Sequence, residues 1–265
     1  MSRWWETAAI DEAPETFLRR HGEIFAVFDG RTQDSDNVSF GVEIDRQRYF
    51  VKTAGAPNDE AHLPHRDRVG LLRNAAEIGV TRHRCLPDMV TTIDSPHGLV
   101  LVYEWRLGEL LHSAPSLARF RALPPEAIST CLDDVFEVHL LLNRVAVDFY
   151  FGSLMYEPET RRVHLIDLDH YVTEPFRNDM GRMFGSSRFM APEEHTLGAL
   201  IDQSTTVHTL GRLILLTLGD GTSRRESFRG TEAQWRIATR ATATPRADRY
   251  PSIAEFHRAW RAARA

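Results

Sequence analysis

Lysine occurs once in this 265-residue chain, at position 52, although Lys and Arg together number 32. The arginine bias itself carries no functional reading, but it gives weight to the exception. A compact ammonium with three rotatable donors enters tight polar sites where a planar guanidinium does not fit. Lys52 also lies near the end of the run Arg48 to Thr53, where a solvated edge charge is the ordinary alternative. Two carboxylates share a different address. Asp148 follows Val145-Ala146-Val147, and Asp167 follows Val163-His164-Leu165-Ile166. A strand fixes the direction of the side chain at its end, so such carboxylates can be aimed into one cleft. Flanking a short hairpin, the two suit a base and a metal ligand working together. Taken singly, each equally fits a solvated strand-end aspartate.

The elements that must hold these residues differ in texture along the chain. From Glu23 to Trp105 short β-like runs dominate: Glu23 to Phe28, Asn37 to Ile44 and Arg48 to Thr53, rich in Val, Ile, Phe and Tyr. Polar turns separate them, as in an antiparallel meander. Arg66 to Val80 reads as a helix, with Val69, Leu72, Ala75, Ala76 and Gly79 on one face. A β-like pair follows, Met89 to Ile93 and Leu99 to Glu104, around the turn Ser95-Pro96-His97-Gly98. Beyond Trp105 the pattern is mostly helical. Pro125 to Asn143 is a long amphipathic stretch with Ile128, Leu132, Val135 and Leu142 inward. His139 shares that face and reads as a hydrogen-bonded core residue. Thr205 to Leu218 and Ser252 to Ala263 are further helices, and Leu154 to Tyr156 and Val163 to Ile166 are β-like.

Composition narrows the classes. A net charge of -5 argues against a general nucleic-acid binder. Cys85 and Cys131, the only cysteines, form no CxxC-type pair, so neither a zinc site nor a disulfide framework is indicated. Met1 to Thr16 lacks an apolar signal core, and no apolar stretch is long enough to span a bilayer. The expectation is a cytoplasmic protein with no membrane and no nucleic-acid partner.

Read together, several segments resemble the eukaryotic-type serine/threonine protein kinases found in bacteria, from about Glu23 onward. Gly185-Ser186-Ser187-Arg188-Phe189-Met190-Ala191-Pro192-Glu193 is similar to the end of a kinase activation segment, closing on Ala-Pro-Glu. Tyr49-Phe50-Val51-Lys52 resembles the strand whose lysine holds the α and β phosphates. Leu165-Ile166-Asp167-Leu168-Asp169 stands where Asp-Phe-Gly lies in that family, and its first Asp is the implied Mg²⁺ ligand. Leu101-Val102-Tyr103-Glu104-Trp105 looks like the hinge. There the resemblance implies that the Glu104 carbonyl and the Arg106 N–H meet adenine, with Glu109 near the ribose. Thr209-Leu210-Gly211 matches the helix beneath the catalytic loop, and Arg249 matches the buried arginine that pairs with Glu193. Six matches fall in the family's order.

The departures are as informative. Ala146-Val147 replaces the His-Arg that precedes the catalytic Asp, so control by a phosphorylated loop is not expected. Thr206 stands where the family has an Asp that anchors the catalytic loop, which implies a different brace. Tyr150 replaces a Lys, and Ser153 replaces the Asn that is a second metal ligand; a neutral hydroxyl should hold the ion less firmly. Asp169 supplies a second carboxylate where Gly is usual, as in aminoglycoside-type phosphotransferases, or else caps a turn. The nucleotide loop, Asp29 to Asp36, has one glycine and three acids. Its backbone N–H groups and Ser35 remain available to phosphate, but no glycine cradle is present. The helix carboxylate that would pair with Lys52 is not fixed by spacing: Asn74 stands at that position, and Glu77 lies one turn further on.

The resemblance thus implies an α+β, bilobal protein-kinase-like fold. Residues 1–105 would form a β-rich nucleotide-binding N-lobe with an N-terminal extension, 1–22. Residues 106–265 would form a mainly helical C-lobe carrying the catalytic loop and activation segment. The implied function is transfer of the γ-phosphoryl group of ATP, with Mg²⁺ or Mn²⁺, to a hydroxyl, a protein Ser or Thr ahead of a small molecule. Lys52 would orient phosphates, Asp148 position the hydroxyl, and Asp167, with Ser153 and Asp169, hold the metal. Two alternatives stand beside it: a pseudokinase that binds nucleotide or a partner without turnover, favoured by Ala146, Tyr150 and Ser153, and an antibiotic or metabolite kinase, favoured by Asp169.

Overall fold

The computed structural model describes residues 4–30 and 36–264. Among the described residues it is a mixed α+β protein with a five-stranded antiparallel sheet and seven α-helices. The chain divides into two compact units, Met1–Arg82 with Leu86–Leu107, and His83–Cys85 with Gly108–Ala265.

The first unit is built on α1 (Pro14–His21), β1 (Glu23–Phe28), β2 (Val38–Ile44), β3 (Gln47–Thr53), α2 (His65–Gly79), β4 (Met89–Ser95) and β5 (Gly98–Glu104). The sheet order is β1-β2-β3-β5-β4. The first three strands form the meander that their turns suggest. The β4–β5 hairpin then docks by its second strand, so chain order and sheet order part at β4. Gly98 adopts a φ of +91° at the hairpin turn, and the Ser95 hydroxyl donates to its carbonyl at 2.7 Å. Glycine populates that left-handed region without steric cost.

Alternation along the strands gives the sheet two different faces. On one face Phe40, Val42, Ile44, Tyr49, Val51, Ile93, Val100 and Val102 form a buried cluster with Trp4, Phe17 and Leu18. Trp4 meets the Tyr49 ring edge-on at 5.0 Å. Trp4, Phe17 and Leu18, in the segment set apart in the sequence as an extension, therefore belong to the core. The helix of that segment spans only two turns and has just Phe17 and Leu18 as buried large apolar residues, too short a pattern to register as periodic.

Lys52 lies on the opposite face. Phe28 pairs with Ser39, Ser39 with Lys52, and Lys52 with Leu101, so these four side chains form one row across the sheet. The adjacent row is Ala26, Gly41, Phe50 and Tyr103. Phe25 sits at a β-bulge in β1, and a Cβ at Gly41 would come within 2.7 Å of its ring and 2.9 Å of Trp105. Gly41 thus leaves room for an aromatic cluster of Phe25, Phe28, Phe50 and Trp105, with centroids 4.9 to 6.5 Å apart.

In the second unit β6 (Glu109–Leu110), α3 (Ala114–Ala122) and α4 (Pro125–Leu142) precede β7 (Val145–Ala146), β8 (Leu154–Glu157), β9 (Arg162–Leu165) and β10 (Tyr171–Val172). Then come β11 (Phe176–Arg177), β12 (Leu200–Ile201), α5 (Gln203–Leu218), α6 (Glu232–Ala241) and α7 (Ile253–Arg264). Strands β6, β8 and β9 form a small antiparallel sheet, and β7 pairs with β10. Helix α5 is buried along nearly all of its length, and its buried residues include Thr205, Thr206, Thr209 and Thr217 as well as its leucines. Asp202 caps its start by accepting from the Ser204 N–H at 2.8 Å. Phe136 of α4 packs on Phe256 and Trp260 of α7 at 4.9 and 5.1 Å. Among the described residues no helix is long and apolar enough to cross a membrane.

If α1 is core, Phe17→Ala should destabilise the first unit by about 3–5 kcal/mol, the cost of emptying a buried aromatic site. Urea unfolding checks this. A loss below roughly 1 kcal/mol, within the range of surface changes, would mean that α1 only decorates the sheet.

Candidate functional site

The helix α4 ends at Asn143, in the left-handed region at φ +50°. Its Oδ1 accepts from the Gln203 amide at 2.8 Å, tying this turn to the start of α5. The chain then enters β7, where the Ala146 N–H donates to the Thr206 hydroxyl at 2.9 Å in a buried bond. Thr206 is fully buried. The brace that the sequence required but did not supply in the family's form is this hydroxyl. It does for a neutral backbone amide what a carboxylate would do for a charged partner.

Asp148 follows in the left-handed region, at φ +58°. A non-glycine residue held there costs about 1–3 kcal/mol and persists only where its surroundings determine it. The surroundings are Phe149 and Phe151, both buried, with Phe189 against each ring at 6.3 and 5.0 Å. Gly185 closes over the site. Its φ is +117°, and a Cβ there would stand 3.3 Å from Asp148 Oδ1. The segment carrying Met183 and Met190 packs on Val145 and Val147, so the Asp148 carboxylate is half covered by it. Burial pushes its pKa up to about 6; His170 pulls it back and the charge of Asp167 adds to the rise. Asp148 therefore sits in the field of both Asp167 and His170. His170 carries no motif of its own, and the only sequence sign of it is an ionisable group directly after Leu168-Asp169.

Ser153 is buried, and its hydroxyl lies 3.4 Å from both the Tyr150 N–H, which donates to it, and the Asp148 carbonyl, to which it donates. It shapes the loop that presents Asp148. Asp169 is buried, while Asp167 is half-buried. Among the described residues no group of three His, Cys, Asp or Glu side chains is arranged as a metal cage. The oxygen-only set of Asp167 and Asp169 is nonetheless the donor type that suits Mg²⁺, which is characteristically held by one or two carboxylates and substrate phosphates.

Behind this site a buried ion pair fixes the segment. Arg249 meets Glu193 with two hydrogen bonds, 2.7 and 3.0 Å, and both residues are at most 6% exposed. Thr205 donates to Glu193 Oε1 at 2.9 Å and Arg246 at 3.2 Å. Burial alone would raise the Glu193 carboxyl; the bonds from Arg249 outweigh it and hold the group below its ordinary value. The adjoining Glu194 goes the other way. Burial raises it to about 7, the Ala191 N–H opposes the rise, and the charges of Glu193 and Asp148 add to it.

Most of the remaining candidates belong to the first unit. Lys52 is half-buried on β3, and Thr53 beyond it donates to the Val38 carbonyl at 2.8 Å. The fully buried Arg68 of α2 then secures the following turn by donating to the carbonyls of Ala54, Ala56 and Asp36. An arginine inside an amphipathic helix pattern gave no sign of that inward role. Glu77 is exposed on α2 and Asn74 half-buried. Arg106 pairs through its guanidinium with Asp88, and the Glu104 N–H donates to the Asp88 carbonyl at 2.9 Å. Glu109, in the second unit, is held by Arg119 at 3.1 Å through Nε. Ser35 lies outside the described residues. His139 is a core residue: Nδ1 meets the Val135 carbonyl at 2.7 Å and Nε2 the Tyr171 hydroxyl at 2.8 Å.

No family model matches the chain, and no curated protein is similar to it.

Glu194 yields a pH prediction. Its folded pKa, about 7, lies above the ordinary 4.5, so between those values the folded state holds a proton that the unfolded chain has released. Its stabilising contribution is complete below pH 4.5 and is lost as pH rises to 7. Relative to Glu194→Gln, the wild type should lose stability over that window with a slope approaching ~1.4 kcal/mol per pH unit, then level off. Urea melts of both proteins at pH 5, 6, 7 and 8 measure it, and parallel curves would refute it.

Proposed function

We propose that this chain is a phosphotransferase of bilobal protein-kinase-like architecture, moving the γ-phosphoryl group of ATP to a hydroxyl, in first place a Ser or Thr of a protein. One observation carries the reading. Asp148, a half-buried carboxylate separated in sequence from Asp167 by a β-hairpin, is pushed up by burial and further by the charge of Asp167, and it is held in a strained backbone conformation over which Gly185 closes. A raised carboxylate of this kind is basic enough near neutral pH to orient an acceptor hydroxyl and take its proton. The hydroxyl oxygen bonds to the γ-phosphorus, the bond to the β-phosphate oxygen breaks, and ADP leaves with that electron pair. Asp167, with Asp169 beside it, would hold Mg²⁺, which neutralises phosphate charge when bound. Lys52 would hold the α and β phosphates as a point charge. Ser153 supports the loop, and the Glu193–Arg249 pair supports the segment on which an extended peptide would dock.

Labelled ATP with Mg²⁺ or Mn²⁺ tests the reading directly. Wild type should autophosphorylate or label a generic protein. Asp148→Asn should lower kcat by about 10²–10⁴-fold, the usual worth of a positioned base, and Lys52→Met and Asp167→Asn should abolish transfer. Absence of autophosphorylation, ATP hydrolysis and protein labelling in the wild type would end the proposal.

The aromatic cluster beside Lys52 favours a second reading, a pseudokinase. Phe50 is two residues from Lys52 on the same face, and its ring packs with Phe28 and Trp105. A nucleotide whose phosphates reach Lys52 must lie along that surface or be kept off it. Calorimetric titration of ATP into wild type and Phe50→Ala separates the cases. If the cluster is a stacking platform, the variant binds more weakly, by about 1–3 kcal/mol per lost aromatic contact. If the cluster excludes nucleotide, the variant gains binding that the wild type lacks.

A further inference from the structure

A second concavity lies entirely within the second unit, between α5, α6 and the loops that follow them. Its volume is about 560 Å³, within the range of small-molecule sites and well beyond what one inorganic anion fills. Helix periodicity explains its walls. His208, Arg212 and Leu215 recur on one side of α5 at spacings of four and three, and Trp235 and Thr239 of α6 with its C-cap Thr242 recur likewise.

The lining has a definite chemical character. No acidic side chain contributes to it. Arg212 donates through Nε to the Arg188 carbonyl at 2.7 Å and through one terminal nitrogen to the Gly221 carbonyl at 2.8 Å. These bonds hold the guanidinium in place without neutralising it. Among the described residues no carboxylate lies within ion-pair distance of it. The hydroxyls of Thr239 and Thr242 donate back to the carbonyls of Trp235 and Ala238, at 3.0 and 2.9 Å, which leaves their oxygens as acceptors. His208 is 6% exposed, and its Nδ1 is buried without a hydrogen-bond partner among the described residues. Burial and the nearby Arg249 keep that ring neutral near pH 7. The Trp235 indole is fixed by its N–H to the Ser223 carbonyl at 2.9 Å and forms an apolar wall.

An arginine without a counter-ion attracts an anion. The same cavity offers acceptors to hydroxyl groups and a flat ring to a carbon skeleton. We propose that it is a binding site for a small hydroxylated phosphate monoester, of the sugar-phosphate class. Arg212 takes the phosphate, the threonine oxygens take hydroxyl protons, and Trp235 packs against the ring. The proposal does not depend on phosphotransfer by Asp148.

Glucose 6-phosphate and ribose 5-phosphate are suitable probes, with glucose and inorganic phosphate as the two half-ligands. The readouts are calorimetry and the indole N–H resonance of Trp235, assigned by Trp235→Phe. At least one sugar phosphate should bind and move that resonance, with each half-ligand weaker by tenfold or more. Arg212→Met should weaken binding by about 10–100-fold, the worth of a charge-assisted hydrogen bond. Thr242→Val, at the cavity wall, should weaken it several-fold and serves if Arg212→Met fails to fold. Lys52→Met should bind unchanged. Failure of both sugar phosphates to move the Trp235 resonance at millimolar concentration overturns the proposal. So does binding that survives both Arg212→Met and Thr242→Val, or that is lost in Lys52→Met.

Discussion

The contact on which the second unit depends is the buried pair of Glu193 and Arg249. Withdrawing two charges from water is expensive, and the Coulomb attraction repays it only where geometry is good and other bonds satisfy the remaining atoms. Both conditions hold. The guanidinium meets the carboxylate with two bonds and also donates to the carbonyls of Ala243 and Thr244. The carboxylate accepts in addition from Thr205 and Arg246. One pair thereby joins the segment ending in Ala-Pro-Glu, the first turn of α5 and the chain before α7. Removing Glu193 would leave Arg249 buried without a counter-charge, and removing Arg249 would leave Glu193 only Arg246, so the cost falls on all three at once.

From that anchor the geometry of the site follows in steps. Thr205, fixed by Glu193, precedes Thr206, whose hydroxyl receives the Ala146 N–H. Ala146 and Val145 form β7 and set the direction from which the chain reaches Asp148. On the other side the anchored segment carries Met190 and Met183 against Val145 and Val147 and brings Gly185 over the Asp148 carboxylate. The burial that raises Asp148 is thus produced by the same segment that the ion pair holds. Backbone strain at Asp148 is tolerable because β7 behind it and the flanking rings of Phe149 and Phe151 determine its position.

Much of this was legible in the sequence, and for identifiable reasons. Strands such as Glu23–Phe28 announce themselves because β-branched and aromatic residues cluster between polar turns, and α4 because its apolar period runs for 18 residues. The pairing of Arg249 with Glu193 was visible only through resemblance, since a separation of 56 residues leaves no local trace. What stayed hidden shares one property: the signal lies in tertiary context. The brace by Thr206 looks like a lost carboxylate until the backbone amide it serves is seen. Arg68 reads as a polar helix position, yet it is fully buried and bonds three carbonyls. Short α1 falls below the length at which periodicity is readable, though Phe17 and Leu18 complete the core of the sheet.

The lone lysine takes its meaning from the same register that places its neighbours. Because paired residues on adjacent strands point to one side, Lys52 cannot be considered without Phe28, Ser39 and Phe50. An ammonium next to an aromatic surface favours a ligand with charge at one end and a flat apolar body at the other, since the faces of the rings are apolar. A nucleotide has that form. Yet four packed rings also resist the rearrangement needed to admit one, because close-packed side chains yield little volume without cost. On the proposed reading, the competition between stacking on the cluster and displacing it governs what Lys52 binds. It is set by Phe50 and Trp105, which no catalytic motif includes.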